Sequence, residues 1–407
     1  MRPSIGTSGG KAAMPLKVLF ITHSYIRRSG DFAGVFLHLL ARKLREYDIE
    51  VTVVAPHDAG IPEHDEIDGI KIHRFRYASE ADETLAYRGN MHRQLFHNPF
   101  KIFTLRRFLK AAQKMAADLI EKENITVVSV HWMIPSGLVG YRLKRKFGDR
   151  IRLFVSSHGT DVRLVTCFYP VFVYFKRVIR RLERWTVVSN FLKRLVLERD
   201  IYLGDKIDVI PLPNDENLFY PDHHVVEDPN LVVAVSRLTV QKRLHLLIRA
   251  FKNALAEKPH LKLEIYGTGP EKEHLLSLLD ELGVSGRVTI SDPVAQKDLR
   301  KIYTRAAVVV LNSVDEGFGL VLTEAMLCRT AVIGAESGGI TDIIDDNETG
   351  LFVTEDNTDE LAAAILRLAN DPGLRDRLAE AGYRKARENF SASSSARRFA
   401  ALFKFRE

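Results

Sequence analysis

The feature that most constrains this chain is a repeated change of period. Short runs of β-branched and other apolar residues (Val18-Leu19-Phe20-Ile21, Val51-Thr52-Val53-Val54, Thr126-Val127-Val128, Leu153-Phe154-Val155) have the length of buried strands. Between them lie segments such as Phe36 to Tyr47, where Phe36, Leu37, Leu40 and Leu44 recur on one helical face. The rhythm restarts at Leu231 to Val235 and continues through Leu263 to Tyr266, Val288 to Ile290, Val308 to Leu311, Ala331 to Ile333 and Leu351 to Val353. Strands alternating with helices imply a parallel sheet covered on both faces. Pro211, Pro213, Pro221 and Pro229 separate the two series, and such a cluster stops regular structure. With 407 residues the chain is also long for a single core. The expectation is an α/β protein of two doubly wound, Rossmann-like domains facing a cleft. Residues 15–213 form the first domain, 214–229 a linker and 230–390 the second domain. Residues 391–407 form a helix that packs back on the first domain, and residues 1–14 read as a loose tail.

Composition narrows the function classes. Hydrophobic residues at 46% and charged residues at 27% exclude a fibrous or disordered chain. Two cysteines, Cys167 and Cys328, cannot build a disulfide framework or a four-thiolate zinc site, and they suit a reducing compartment. The uncharged run from Val165 to Phe175 contains a proline and falls well short of the roughly 20 residues that span a bilayer. The expected location is cytoplasmic, with the inner membrane face as an alternative. The net charge of +7 is unevenly spread, because residues 101–200 carry 21 Lys and Arg against 8 Asp and Glu. An anionic partner should therefore meet that region.

Candidate functional residues gather where strands end. Glu316-Gly317-Phe318-Gly319-Leu320-Val321-Leu322-Thr323-Glu324 follows the run at 308–311 and enters a helix. Gly317 and Gly319 allow close backbone approach, and the unpaired amides opening the helix suit a phosphate. Glu316 would face ligand hydroxyls, and Glu324 could reach a hydroxyl pair such as a ribose. Arg237 and Lys242 bracket the same cleft edge after the second domain's first strand, a fork and a point charge for a diphosphate. Gly267, in Tyr266-Gly267-Thr268-Gly269-Pro270, marks either a nucleotide-approach turn or a plain structural turn. In the first domain, Ser157-His158-Gly159-Thr160-Asp161 ends a strand, which aims His158 at the cleft and makes Asp161 an acceptor-side candidate. Gly34, in Gly30-Asp31-Phe32-Ala33-Gly34, is a candidate for phosphate approach. Histidines such as His223 and His224 lack ligand-spaced partners, so no metal site is expected.

Taken together, the Glu-x7-Glu segment, Arg237 with Lys242, the His-Gly-Thr-Asp string and Gly338-Gly339-Ile340-Thr341-Asp342 resemble retaining glycosyltransferases of the GT-B fold. The likeness is to family GT4, the "glycosyltransferases group 1", over about 230–370 and more loosely over 15–215. That resemblance implies transfer of a hexose from a UDP- or GDP-linked sugar to a glycan, lipid-linked or small-molecule acceptor. It implies that Arg237 and Lys242 hold the diphosphate, Glu324 the ribose and Glu316 the sugar ring. The amides of Gly317, Phe318, Gly319 and Leu320 then meet the donor, with His158 near the transferred sugar. It further implies no divalent metal or other cofactor, and same-face attack with the donor phosphate taking the acceptor proton. Two departures stand out: Ala33 precedes Gly34 where the family pairs glycines, and Asn214-Asp215-Glu216-Asn217 replaces the usual Asn-Gly-Val-Asp.

The basic region lies in the acceptor-side domain. Its segment Phe168 to Arg181 mixes aromatics with Lys176, Arg177, Arg180 and Arg181, which reads either as an anionic-membrane surface or as a packed helix with a solvated basic edge. No nucleic-acid motif accompanies the charge. Rival readings are a nucleotide-sugar epimerase or phosphorylase on the same fold, or a nucleotide-sugar-binding protein whose catalysis has lapsed.

Overall fold

The computed structural model describes residues 14–87, 91–98 and 100–405. Apart from Met14, the tail at 1–14 lies outside the described residues. Eight strands form the first sheet: β1 (Leu16–Ile21), β2 (Ile49–Pro56), β3 (His64–Ile67), β4 (Ile70–Phe75), β5 (Val127–His131), β6 (Arg152–Ser157), β7 (Arg184–Val187) and β8 (Ile207–Val209). Six form the second: β9 (Asp228–Val235), β10 (Lys262–Tyr266), β11 (Val288–Ser291), β12 (Ala306–Leu311), β13 (Ala331–Ala335) and β14 (Leu351–Val353). Their orders are β3-β4-β2-β1-β5-β6-β7-β8 and β11-β10-β9-β12-β13-β14. Pairing is parallel throughout except between β3 and β4. That hairpin turns on Asp68 (φ 50°) and Gly69 (φ 76°), both left-handed as a two-residue hairpin loop requires. Two doubly wound domains are thus present.

In each sheet the winding reverses about its first strand: β1 lies between β2 and β5, and β9 between β10 and β12. Crevices for ligands open at the carboxyl ends beside such reversals. The central strands are buried on both faces, as in β12, whose six residues are all buried. This explains why they read as unbroken apolar runs rather than alternating ones.

The last helix, Ala392–Lys404, crosses to the first domain. Phe399 and Phe403 enter the core formed by β1, β2 and the helix Val35–Leu44, and Phe403 meets Phe154 edge-on at 5.2 Å. Arg152 donates to the carbonyl of Phe405 at 2.6 Å and to that of Phe403. The linker holds the start of this helix. Asn214 donates its backbone N–H to the Phe390 carbonyl at 3.0 Å and accepts the Ala392 N–H at 2.7 Å. Glu216 accepts the Ala392 N–H at 2.9 Å and also takes the Ser393 hydroxyl. Lys43 stands 3.4 Å from the same carboxylate. The unusual acidic residue in this linker is therefore a carboxylate at a helix N-terminus, tied to both domains.

Glu216→Ala should cost about 1 kcal/mol, seen as faster amide exchange in 392–404 than in the helices of the second domain. Unchanged protection there would rule out the clamp.

Candidate active site

A cavity of about 470 Å³ lies between the two sheets, where their carboxyl ends face each other. His158, Gly159, Thr160 and Arg163 line it from the loop and helix after β6. Arg237, Gln241 and Lys242 line it from the loop after β9, and residues 315–321 from the loop after β12. Thus His158, Arg237, Lys242, Glu316, Gly317, Phe318, Gly319 and Leu320 come together as the sequence suggests. Phe318 contributes backbone only, because its ring is buried and packs edge-on to Phe390 at 5.6 Å.

The electrostatics of the cavity are unbalanced. Lys242 donates to Glu316 Oε2 at 2.5 Å, and both side chains are largely buried. Arg237 is exposed at the rim and makes no ion pair among the described residues. The helix Leu320–Leu327 points its N-terminus into the same space, and its N-cap, Gly319, offers no side chain to the first amides. Three cations, Arg163, Arg237 and Lys242, face two carboxylates, Asp315 and Glu316, so one positive charge is left over beside open amide donors at a positive dipole end, an arrangement that favours an anion.

His158 closes the first-domain side. Its ring sits edge-on to Trp132 at 4.6 Å and to Phe36 at 4.9 Å, and stacks on His131 at 5.6 Å with Nε2 3.4 Å from His131 Nδ1. Burial, then the neighbouring His131 and His23, hold His158 well below the usual imidazole range. Burial thus disfavours the cationic form of this ring, which suits a hydrogen-bonding group rather than a charge.

Several sequence candidates lie elsewhere. Asp161 does not face an acceptor. It is buried, and its carboxylate accepts the backbone N–H groups of Met133 (2.7 Å), His158 (3.1 Å) and Gly159 (3.3 Å), so it builds the loop that carries His158. Gly34 is the left-handed N-cap (φ 66°) of Val35–Leu44, where a Cβ would lie 2.6 Å from the Ser24 carbonyl oxygen, and it does not line the cavity. Gly267 is a packing requirement, since a Cβ there would come within 1.8 Å of the Ser236 carbonyl oxygen. Glu324 lines a separate narrow cavity of about 80 Å³ beside Leu320, Asn214 and Gln296. Its buried carboxyl accepts the Tyr303 hydroxyl at 3.0 Å, and burial pushes its pKa up to about 7. Lys176, on the helix Tyr169–Ile179, is ion-paired with Asp200. Arg177, Arg180 and Arg181 are exposed beside it. No group of three or more His, Cys, Asp or Glu among the described residues is placed to hold a metal ion. No helix among them is long and apolar enough to cross a membrane.

Sequence reasoning missed Arg163, Gln241 and Asp315. Arg163 lies one helical turn beyond Gly159, and Gln241 adjoins Lys242, so their spacing from recognised residues was the available signal. Asp315 precedes Glu316 with a left-handed φ of 54°, which no local pattern announces.

The comparisons with known proteins agree with this geometry. Residues 33–217 match the family "Glycosyltransferase Family 4", and residues 217–385 match "Glycosyl transferases group 1". The chain therefore belongs to the GT4-type glycosyltransferases of the GT-B fold and is a glycosyltransferase. It is 24% identical over 317 residues to the N-acetyl-alpha-D-glucosaminyl L-malate synthase of Bacillus anthracis, covering 75% of this chain and 81% of that protein. It is 25% identical to a GDP-mannose-dependent alpha-(1-6)-phosphatidylinositol monomannoside mannosyltransferase of Mycolicibacterium smegmatis, covering 95% of this chain and 97% of that one. Among solved structures it resembles sucrose-phosphate synthase from Thermosynechococcus elongatus, with a TM-score of 0.78 and 21% identity over 96% of this chain and 98% of that one.

Glu324 supplies a prediction. Its folded-state pKa of about 7 lies above the ordinary 4.5, so folding takes up a proton and the carboxyl penalises the fold increasingly as pH rises through that window. Glu324→Gln should therefore stabilise the ligand-free protein at pH 8 by on the order of 1–3 kcal/mol, and leave it unchanged near pH 4. Equal melting temperatures at both pH values would contradict a strained, buried carboxylate.

Proposed function

We propose that the protein is a retaining, metal-independent hexosyltransferase that uses a UDP- or GDP-linked sugar, with a glycan, lipid-linked or small-molecule hydroxyl as acceptor. The observation that carries this reading is the Lys242–Glu316 pair beside unpaired Arg237 and the open helix N-terminus, all lining one cavity. A diphosphate entering there competes with Glu316 for Lys242. It binds Lys242 and Arg237, and the freed Glu316 carboxylate turns to accept hydroxyl protons of the donor sugar. The amides from Gly317 to Leu320 complete the donor contacts. Leu320 lines both this cavity and the narrow one that holds Glu324, so a ribose extending past Leu320 would meet the Glu324 carboxyl, whose Oε2 already accepts the Tyr303 hydroxyl.

The chemistry follows from where the charges stand. The acceptor hydroxyl attacks the anomeric carbon on the face from which the diphosphate departs. The C–O bond to phosphate breaks as the new glycosidic bond forms, and the hydroxyl proton passes to a leaving phosphate oxygen. Arg237, Lys242 and the helix dipole hold the charge that develops on the diphosphate, so the protein itself supplies the stabilisation that a divalent metal supplies elsewhere. Two observations support attack without a covalent intermediate: both cavity carboxylates, Asp315 and Glu316, come from the second domain, and Asp161 is committed to three amides. His158, neutral and packed by aromatics, donates or accepts one hydrogen bond at the transferred sugar.

A surface feature favours an acceptor held at a membrane. Tyr169, Tyr174 and Tyr202 are 65%, 51% and 90% exposed, near the exposed Arg177, Arg180 and Arg181. Rings with polar tips beside cations suit an anionic lipid interface. The relative that acts on a phosphatidylinositol mannoside has a lipid acceptor by name.

Two experiments test these readings. A thermal-shift panel of UDP, GDP, ADP and their sugar conjugates, with and without chelator, should give a base-specific shift that chelation leaves intact. A ligand at 100 times its Kd stabilises by about 2.7 kcal/mol, and Lys242→Ala should abolish most of the shift. Loss of the shift on chelation would overturn metal independence. For the membrane, replacing Arg177, Arg180 and Arg181 by Gln should weaken co-sedimentation with phosphatidylglycerol vesicles by about two orders of magnitude, at about 1 kcal/mol per cation. Equal recovery on phosphatidylcholine alone would sink the electrostatic reading.

A further inference from the structure

Arg163 belongs to the first domain, yet its guanidinium ends on the second. Nη1 lies 3.1 Å from Asp315 Oδ2, and Nη2 donates to the Asp315 carbonyl at 2.5 Å. The side chain does not reach across unsupported, because its guanidinium lies over the Phe191 ring, 5.6 Å from the centroid, on the helix Asn190–Leu197. A planar fork resting on an aromatic face and meeting both a carboxylate and a carbonyl is a geometry that lysine cannot reproduce.

The residue it grips is in an unusual state. Asp315 has a left-handed φ of 54°, a conformation that persists where the surroundings over-determine it. Within the second domain, its N–H donates to Ser337 Oγ at 3.1 Å, and Gln241 Nε2 donates to the Val314 carbonyl at 3.1 Å. The following residue, Glu316, is held through its carbonyl by the Gly339 N–H at 2.7 Å. From the same domain Gln241 also reaches the Asp315 carbonyl at 3.4 Å and accepts the Val314 N–H at 3.2 Å, and Lys242 holds the Glu316 carboxylate. The opposite domain adds the two contacts from Arg163, including the ion pair to the Asp315 carboxylate, and the Ser189 hydroxyl donating to the Gly317 carbonyl at 2.8 Å. Those contacts join the two domains across the cleft.

We propose that Arg163 is a positioning residue for the transfer reaction: its fork onto Asp315 completes the hold on the 314–317 loop, so that closing the cleft sets the Glu316 carboxylate against the donor sugar. Arg163 touches neither the diphosphate nor the reacting carbon in this role; it acts through Asp315. The inference rests on the donor reading above and adds a division of labour to it. Arg237 and Lys242 bind the nucleotide from the second domain alone, and Arg163 makes the bound donor reactive. A misplacement of one ångström in such a loop is enough to cost about a hundredfold in rate.

The test separates binding from turnover. Wild-type protein, Arg163→Ala, Arg163→Lys and Arg163→Ala with Asp315→Asn are titrated calorimetrically with UDP and GDP. Turnover is followed as nucleoside diphosphate released from the matching sugar conjugate, with water as acceptor. Arg163→Ala should lower kcat by about tenfold to a hundredfold while the nucleoside diphosphate Kd changes less than twofold. Arg163→Lys should recover part of the loss, and the double variant should be no slower than Arg163→Ala. An unchanged kcat would show the contact to be idle. A Kd that weakens in parallel with kcat would make Arg163 a diphosphate ligand instead, and overturn the proposal. Wild-type protein that binds neither nucleotide would overturn the donor reading and this inference together, whereas binding with an indifferent Arg163 overturns the inference alone.

Discussion

At the centre of the cleft the two domains meet through backbone. A Cβ on Gly317 would lie 3.2 Å from Gly159 Cα and 3.1 Å from the His158 carbonyl oxygen. A Cβ at Gly317 would push the two loops apart by a few tenths of an ångström, whereas one at Gly159 would sit 3.5 Å from Gly317 Cα, an ordinary contact, so the closeness here depends on Gly317. The approach lets Ser189 reach the Gly317 carbonyl, Arg163 reach Asp315 and the Asn190 N–H reach the Asp342 carboxylate. His158, Arg163 and residues 315–320 sit within a few residues of that contact, and Arg237 and Lys242 join them from the end of β9, because the parallel strands of both sheets end there.

Charge is then arranged around that contact with little slack. Lys242 is neutralised by Glu316 while Arg237 stays open, so the site attracts an anion without holding an uncompensated charge in its interior. His158 adds no positive charge, because burial among Phe36, Trp132 and His131 keeps it neutral. Asp161 adds no negative charge to the cavity, because its carboxylate is spent on the loop beneath. The result is a pocket whose net charge and open amides favour an anion, which is what the proposed donor diphosphate requires.

Much of the fold was legible in the chain. The apolar runs at 18–21, 51–54, 231–235 and 308–311 are central parallel strands, whose burial on both faces removes alternation and makes them conspicuous. The hairpin of His64–Ile67 and Ile70–Phe75 lacks that signature, because the edge strand is polar and half-exposed and its neighbour interleaves Lys71, His73 and Arg74 with its apolar residues. At the site, residues whose types carry chemistry were found where they follow strands: His158, Arg237, Lys242 and Glu316. Arg163 and Gln241 were passed over because an arginine and a glutamine near a helix start look like solvated surface until the opposite domain is in place. Asp161, Gly34 and Gly267 were credited with ligand contacts, since a motif shows proximity in sequence and not the direction a group faces.

By itself, then, the sequence determined the two parallel sheets, the break between them, the strand ends that carry the polar groups and the family. Hydrophobic period and the conformational needs of glycine and proline are local, and they act on each segment wherever it lies. Only the tertiary structure decided which of those groups share a cavity, that Lys242 pairs with Glu316, that Glu324 is buried against Tyr303, and that Arg163 crosses the cleft. Those outcomes join residues 21, 74 or more than 150 positions apart. They depend on the packing of whole domains, which no local pattern encodes.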